Sequence, residues 1–274
     1  MRYAVYRCLY GEDFIQESIK SIDNYVDKIF VFWDDIPWGD TSECVYKGVL
    51  VQFPKKFDNI VDKIKELNNP KIELIYDHVP NNHNQFTRFI NELILPKHPK
   101  PNTFIIPEVD HVFKNSEIEK ALTEFEASGN LHACTKQIEL WREPKYRIPE
   151  RRRTGTVFWN MRGIDQIHPT HRQAESTIER INILEAYVHN FGFCANPSTM
   201  YWKHLTALAF SCKIGDDVPN EHWYDKWLHW EINNGLNYNL EISLGHEGNI
   251  PQAYEYNVKE LPEVIQEKYG YSQN

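Results

Sequence analysis

Short apolar runs alternate with segments of helical periodicity through residues 1–130 of the chain. Continuous apolar runs predict buried strands, and apolar side chains three or four residues apart predict helices that pack one face on a sheet. The predicted strands are Tyr3–Leu9, Lys28–Trp33, Ile72–Tyr76 and Phe104–Ile106. The predicted helices are Phe14–Val26, a segment marked by Ile60, Ile64 and Leu67, a segment marked by Phe86, Phe89, Ile90 and Leu93 that Pro96 ends, and a segment that a Ser116–Glu119 capping box begins.

This alternation is typical of an α/β fold, with a mostly parallel central sheet and helices on both of its faces. In such sheets ligands bind beyond the carboxyl ends of the strands. The four ends are Cys8–Glu12, Asp34–Asp35, Asp77–Asn84 and Glu108–His111. Acidic side chains stand out at three of them, so we expect a polar site at this edge.

The second half of the chain is less regular than the first. Its predicted strands are Leu131–Leu140, Thr156–Met161 and Ile181–His189, and its predicted helices are Met200–Phe210 and Glu221–Ile232. No Gly-, Ser- or Pro-rich linker separates the halves. We therefore predict one continuous domain over residues 1–274, with a regular half at 1–130 and an elaborated half at 131–274.

The amino-acid composition and charge argue against several classes of protein. The net charge of −9 argues against a dedicated nucleic-acid binder, which would carry a basic surplus. The 5 cysteines form no C-x-x-C pair, which excludes a disulfide scaffold and an ordinary zinc module. No apolar run is long enough to span a bilayer, and Arg2, Arg7 and Glu12 interrupt the N-terminus where a signal peptide would be apolar. We expect a soluble, cytoplasmic protein.

Glu108 and Asp110 follow the fourth predicted strand and are spaced by one residue. Because side chains alternate along a strand, the two carboxylates should point to the same side. Paired carboxylate oxygens suit Mg²⁺ or Mn²⁺, and such an ion can bridge a diphosphate. The alternative is a solvated turn without a ligand.

Other polar residues near strand ends are candidates for nucleotide binding. Asp34 can accept hydrogen bonds from a ribose or a base, and Trp33 can stack on a ring. Asn84 and Arg88 lie at the start of the helix after the third strand, where polar side chains can meet an anion. The alternatives are an ordinary acidic loop and an ordinary N-cap run.

His189 lies at the end of an apolar run, and Lys203 lies on the helix that follows. A histidine in such a place is either a core residue or a metal ligand, and a lysine nearby can pair with phosphate.

The order of these features resembles a family 2-type glycosyltransferase with the GT-A fold. Asn84–Asn91 is similar to the segment N-x-G-x-x-x-A-R-N of that family, although the glycine is absent, and Phe104–Asp110 is similar to its apolar strand followed by D-x-D. Val188–Lys203 is similar to a block V-H-x-G-x-x-x-P-x-x-M-x-x-K, with one extra residue before the glycine.

The resemblance implies a metal-dependent transfer, with inversion, of a sugar from a nucleotide diphosphate sugar to an acceptor hydroxyl, in glycan or polysaccharide biosynthesis. Residues 1–130 would bind the donor and residues 131–274 the acceptor. Its implied Mn²⁺ or Mg²⁺ ligands are Glu108, Asp110 and His189. The implied nucleotide contacts are Arg7, Trp33, Asp34, Asn84, Arg88 and Lys203.

The family's E-D motif, which supplies the catalytic base in many members, has no clean copy in this chain. The candidates for the base are Glu139 at the end of the fifth strand, and Asp216 or Asp217. Two other readings stay open: a sugar-phosphate nucleotidyltransferase, and a non-catalytic glycan-binding protein of the same fold. The first strand lacks the glycine-rich, basic loop that a nucleotidyltransferase uses to hold a triphosphate.

Overall fold

The computed structural model describes residues 1–35, 43–46, 49–52, 59–77, 85–149, 155–167, 182–214, 223–230, 240–241, 249–250 and 253–271. The helices are α1 (Ile15–Ile22), α2 (Ile60–Glu66), α3 (Gln85–Arg88, continued by a π-helical segment Phe89–Ile94), α4 (Asn115–Ser128), α5 (Pro197–Ile214), α6 (Trp223–Leu228) and α7 (Glu263–Tyr269). The strands are β1 (Arg2–Cys8), β2 (Lys28–Trp33), β3 (Glu43–Tyr46), β4 (Val49–Gln52), β5 (Ile72–Tyr76), β6 (Thr103–Ile106), β7 (His111–Val112), β8 (His132–Trp141), β9 (Glu143–Arg147), β10 (Val157–Asn160), β11 (Asn182–Phe193), β12 (Leu240–Glu241), β13 (Asn249–Ile250) and β14 (Tyr254–Glu255).

The central sheet has the order β14-β9-β8-β10-β6-β1-β2-β5. The strands β5, β2, β1 and β6 are mutually parallel, whereas β10 is antiparallel to both β6 and β8. Because β6 and β8 are both antiparallel to β10, β8 runs in the same direction as β6, and so does β11, which is parallel to β8. The carboxyl ends of β2, β1, β6, β8 and β11 therefore share one edge of the sheet, which we call the binding edge.

Helices cover both faces of the sheet because its central strands are apolar on both faces. On one face, residues of α1, α2 and α4 pack on Ala4, Tyr6, Ile29 and Val31. On the other face, α3 and its π-helical continuation pack on Val5, Phe30, Phe32 and Phe104, and the rings of Phe32 and Phe89 stack with centroids 3.8 Å apart. The α/β fold class with a mostly parallel central sheet is thus confirmed.

Two predicted strands, Lys28–Trp33 and Ile72–Tyr76, have the predicted bounds. The first helix ends earlier than predicted, at Ile22, and continues as a 3-10 turn. The Ser116–Glu119 capping box is wrong: α4 begins at Asn115 without a side-chain cap. Glu119 instead accepts a hydrogen bond at 3.0 Å from the hydroxyl of Tyr25, which lies in the 3-10 turn after α1.

The C-terminal segment 253–271 closes over the start of the chain. Leu261 and Ile265 are fully buried in a cluster with Phe14 and Phe191. Lys268 donates to the backbone carbonyl of Asp13 and forms an ion pair with Glu17 at 3.0 Å. In the described part of the chain, no helix combines the length and the apolar character that crossing a membrane requires.

Candidate active site at the binding edge

A tight turn carries the acidic pair. The strand β6 ends at Ile106, and the His111 amide donates to the Glu108 carbonyl at 3.1 Å. Glu108 and Asp110 are therefore brought together by a turn and not by strand alternation. The Ser18 hydroxyl of α1 holds this turn, since it donates to the carbonyls of His111 (2.6 Å) and Glu108 (3.2 Å).

Glu108, Asp110 and His111 could hold a divalent metal ion. One ligand atom from each lies within 4.8 Å of the others. The Asp110 side chain is only 13% exposed, and its Oδ1 atom is buried without a hydrogen-bond partner among the described residues. An unpartnered buried carboxylate oxygen is costly and is the atom that a cation would satisfy. This donor set of two carboxylates and one imidazole fits Mn²⁺ or Mg²⁺.

His111 is a further candidate ligand, which residue type and order alone did not predict. Burial lowers the pKa of His111 to about 4, against the opposing effect of the Asp110 charge, so its imidazole is neutral at physiological pH. A neutral imidazole is the form that binds metals. Its position directly after the acidic pair was the available signal.

Neighbouring hydrogen bonds fix which nitrogen of His111 carries the proton. The Gly192 amide donates to Asn190 Oδ1 at 2.7 Å, so the Asn190 Nδ2 group faces His111 Nε2 at 3.4 Å. His111 Nε2 is thereby an acceptor, and Nδ1–H donates to the Thr156 hydroxyl at 3.1 Å. An ion that binds at Nε2 would take the lone pair that now accepts from Asn190, while Nδ1–H keeps its hydrogen bond to Thr156.

Lys203 places a cation beside the acidic group. Its Nζ lies 3.5 Å from Asp110 Oδ2 and donates to the Gly192 carbonyl at 2.7 Å. The close approach requires glycine at 192, because a Cβ there would lie 2.8 Å from Asp110 Oδ2 and 3.3 Å from Lys203 Nζ. The predicted residues Glu108, Asp110 and Lys203 are thus together.

The helix that carries Lys203 is anchored at its first turn. Asn196 caps α5, because its Oδ1 accepts a hydrogen bond from the Thr199 amide at 2.9 Å. The Asn196 Nδ2 group donates to Asp13 Oδ1 at 2.8 Å. Asp13 lies in the turn between β1 and α1, so this pair joins α5 to the carboxyl end of β1.

The structure places His189 outside this group. His189 and Asn190 are successive residues of β11 and face opposite sides of the sheet. The His189 ring is 1% exposed, and its Nε2 lies 2.9 Å from the Tyr256 hydroxyl. Burial, assisted by the charge of Lys114, lowers the pKa of His189 to about 3.

Trp33 and Asp34 lie at the carboxyl end of β2, on the binding edge. The Asp34 amide donates to the Cys8 carbonyl at 3.1 Å, which ties the ends of β1 and β2 together. The Trp33 ring meets the half-exposed Tyr76 ring edge-on, with centroids 4.8 Å apart. An aromatic surface and a carboxylate are therefore adjacent at this position.

The two predicted arginines have different surroundings. Arg7 donates to Gln85 Oε1 at 2.7 Å, and burial lowers its pKa to about 10, which still leaves it charged at neutral pH. Arg88 forms two parallel hydrogen bonds of 3.0 Å with Asp77, which raise its pKa and tie α3 to the end of β5. Asn84 lies outside the described residues.

Glu139 is the candidate base that the structure describes. It lies on β8 in register with Asn190, which in turn pairs with His111, so the three share one face of the sheet. Its side chain is buried, with 5% exposure. Asp217, like Asp216, lies outside the described residues.

Comparisons with known proteins find only distant likenesses. No family model matches the sequence, and no curated protein does. Among solved structures, residues 1–349 of S. aureus TarS in complex with UDP-GlcNAc show 14% identity over 83% of this chain and 70% of that chain, with a TM-score of 0.40. The inositol-1-phosphate CTP transferase from T. maritima shows 9% identity over 79% of this chain and 98% of that chain, with a TM-score of 0.39. Likenesses at these TM-scores carry no argument about function.

Proposed function

We propose that the protein is a metal-dependent glycosyltransferase that moves a sugar from a nucleotide diphosphate sugar to an acceptor hydroxyl. The observation that carries this proposal is the meeting of Glu108, Asp110, His111 and Lys203 at the binding edge, where Asp110 Oδ1 is buried and has no hydrogen-bond partner in the described part of the chain. Sugar transfer releases a nucleoside diphosphate, whose developing charge must be neutralised for the bond to break. A carboxylate-bound cation beside a lysine is suited to that task.

In this proposal Glu108, Asp110 and His111 hold Mn²⁺ or Mg²⁺, and His111 takes the place that the sequence resemblance gave to His189. The bound ion supplies charge neutralisation at the diphosphate. Lys203 contributes a second positive charge and leaves its contact with Asp110 for a phosphate oxygen. The hydrogen bond from His111 Nδ1–H to the Thr156 hydroxyl keeps the imidazole oriented when Nε2 binds the ion in place of the Asn190 amide.

Trp33 and Asp34 are proposed to receive the nucleoside, because they present an aromatic ring and a carboxylate one strand away from β1 on the same edge. Arg7, held by Gln85, adds a positive charge at the end of β1. Arg88 supports this region through its ion pair with Asp77. The nucleoside and the diphosphate would then lie along the binding edge in the direction from β2 to β6.

Glu139 is proposed as the general base that takes the proton from the acceptor hydroxyl during direct displacement, which would invert the sugar's configuration. Its register with Asn190 places it on the same face as the metal-binding group. A carboxylate at this position is a group that can accept the proton of a hydroxyl. Asp217 is the alternative base.

The deciding experiment screens UDP-, GDP-, CMP- and TDP-sugars with and without Mn²⁺ and identifies the nucleotide product by chromatography. Nucleoside diphosphate is the expected product. Release of pyrophosphate from nucleoside triphosphate and sugar phosphate would instead identify a nucleotidyltransferase. Thermal stabilisation by nucleotide sugars without any turnover would indicate a binding protein.

The variant Asp110→Asn tests the proposed metal site. It keeps the side-chain shape but removes the charge, so turnover should fall at least ~100-fold, a loss of ~2.7 kcal/mol of transition-state stabilisation. Asp165→Asn is the matched control, since the Asp165 side chain is 99% exposed on the surface. Full activity of Asp110→Asn, or of the wild-type protein in excess EDTA, would contradict the metal-dependent mechanism.

A further inference from the structure

Arg142 is a strained residue on the binding edge. It follows β8 directly and has a positive φ of 64°, a left-handed conformation that costs energy for a side chain other than glycine. Its amide donates to the Phe193 carbonyl at 3.0 Å, and Phe193 is the neighbour of Gly192 in the proposed metal site. This backbone hydrogen bond places Arg142 where the carboxyl ends of β8 and β11 meet.

The Arg142 guanidinium is held in a fixed plane. It lies over the Trp227 ring, with its Cζ 4.3 Å from the ring centroid. Trp227 is fully buried, and its Nε1 donates to the same Phe193 carbonyl at 2.9 Å, so the ring itself cannot turn. This stack fixes the guanidinium orientation before any ligand binds.

The guanidinium is charged but weakly engaged. Its one hydrogen bond within the described residues is a long contact of 3.4 Å from Nη2 to the Leu228 carbonyl. Within the same residues, no carboxylate lies within ion-pair distance of Arg142, unlike Arg2 and Arg88, which each pair with an acidic side chain. An oriented planar guanidinium with unused donors matches the geometry of a carboxylate or a phosphate group.

We infer that Arg142 binds a carboxylate or phosphate group of the acceptor substrate. This inference rests on the proposed sugar transfer. The sheet order supports the acceptor over the nucleoside of the donor, because β8 lies four strands from β2, about 19 Å at the usual strand spacing. The proposed nucleoside lies at the β2 end of the binding edge, and Arg142 lies at the other end, where its amide donates to the Phe193 carbonyl beside the proposed diphosphate site.

The experiment compares anionic and neutral members of matched ligand pairs by calorimetry, with UDP and Mn²⁺ present. The pairs are methyl glucuronide with methyl glucoside, and glycerol 3-phosphate with glycerol. For at least one pair, wild-type protein should bind the anionic member about tenfold more tightly, which is 1.4 kcal/mol. Arg142→Gln should remove this preference, and Lys145→Gln, which changes a half-exposed surface cation of β9, should keep it.

Two further measurements separate a local loss of binding from other causes. Arg142→Asn should also lose the preference while keeping the wild-type melting temperature, because asparagine accepts the left-handed backbone. The affinities of UDP and GDP with Mn²⁺ should stay unchanged in Arg142→Gln. Equal binding of both members of each pair by wild type, or a preference retained in Arg142→Gln, overturns the inference, and weakened nucleotide binding reassigns Arg142 to the donor. Failure of the proposed function would appear separately, in the product assay.

Discussion

The hydrogen bond between Asp13 and Asn196 should control how well Lys203 is placed, and exchanging the two residues tests this. Asn196→Asp keeps an acceptor at the start of α5, where a carboxylate is also a good helix cap. It nevertheless brings two carboxylates to the 2.8 Å contact that an amide now makes with Asp13 Oδ1. The double variant Asp13→Asn/Asn196→Asp restores one donor and one acceptor in reversed order.

The expected size of the effect follows from that distance. At 2.8 Å and an effective dielectric constant of 20, two unit charges repel by about 6 kcal/mol. Separation of the groups or uptake of a proton relieves part of this, and a charge-assisted hydrogen bond of about 1.5–3 kcal/mol is lost. We expect Asn196→Asp to lower the free energy of unfolding by about 2–4 kcal/mol, and the double variant to recover to within about 1 kcal/mol of wild type.

Urea denaturation gives the stabilities, and hydrogen exchange of the peptide that covers the first two turns of α5 reports on the helix start directly. Exchange there should accelerate in Asn196→Asp and return to the wild-type rate in the double variant. Turnover should follow the same order, because Lys203 lies on the second turn of α5. A double variant that stays as unstable as Asn196→Asp, or a single variant with wild-type exchange, would refute this account of the anchor.

Three other substitutions probe the same edge. Gly192→Ala should cost about 1–3 kcal/mol of stability and most of the turnover, because its Cβ would lie 2.8 Å from Asp110 Oδ2; a wild-type melting curve and rate would contradict this. His189 has a lowered pKa of about 3, so the unfolded chain binds its proton first and stability is lost as pH falls from about 6.5 towards 3. His189→Gln should therefore reduce the slope of unfolding free energy between pH 5 and 6.5 by up to about 1.4 kcal/mol per pH unit, and an unchanged slope would count against a buried neutral histidine. Asp34→Ala should weaken nucleoside diphosphate binding by about 1.5–3 kcal/mol, measured by calorimetry, and equal affinity would leave Asp34 as a loop residue.

The parallel half of the sheet could be predicted from sequence because its signal is local. The strand β2 is buried on both faces and a continuous apolar run marks its bounds, whereas β5, at the end of the strand order, is only partly buried and is marked by the apolar residues Ile72, Leu74 and Ile75. The strands β7 and β14 carry no such signal. Each has only two residues, and each is defined by pairing with a strand far away in the sequence, β11 and β9 respectively. The helix start at Asn115 was also missed, because a tertiary contact to Tyr25 engages Glu119.

In the candidate site too, some residues could be predicted from local sequence signals and others depend on contacts between distant parts of the chain. Glu108, Asp110 and Lys203 were predicted from residue type and order, and the structure brings them together. The surroundings of His111 include Asn190, which is 79 positions away in the sequence. A contact over such a separation leaves no signal in the local sequence pattern. His189 matched a family block by sequence, but the alternation of β11 turns it to the opposite face from Asn190.

The contact of Lys268 with Asp13 can form only late in synthesis on the ribosome. The two residues are 255 positions apart, so the turn that holds Asp13 is synthesised well before Lys268. At a synthesis rate of roughly 5–20 residues per second, about 13–51 s pass between the synthesis of this turn and that of Lys268. The aromatic and aliphatic side chains that α7 later covers, including Phe14, are exposed during this interval. Until α7 has been synthesised, the nascent chain therefore leaves this apolar cluster incomplete.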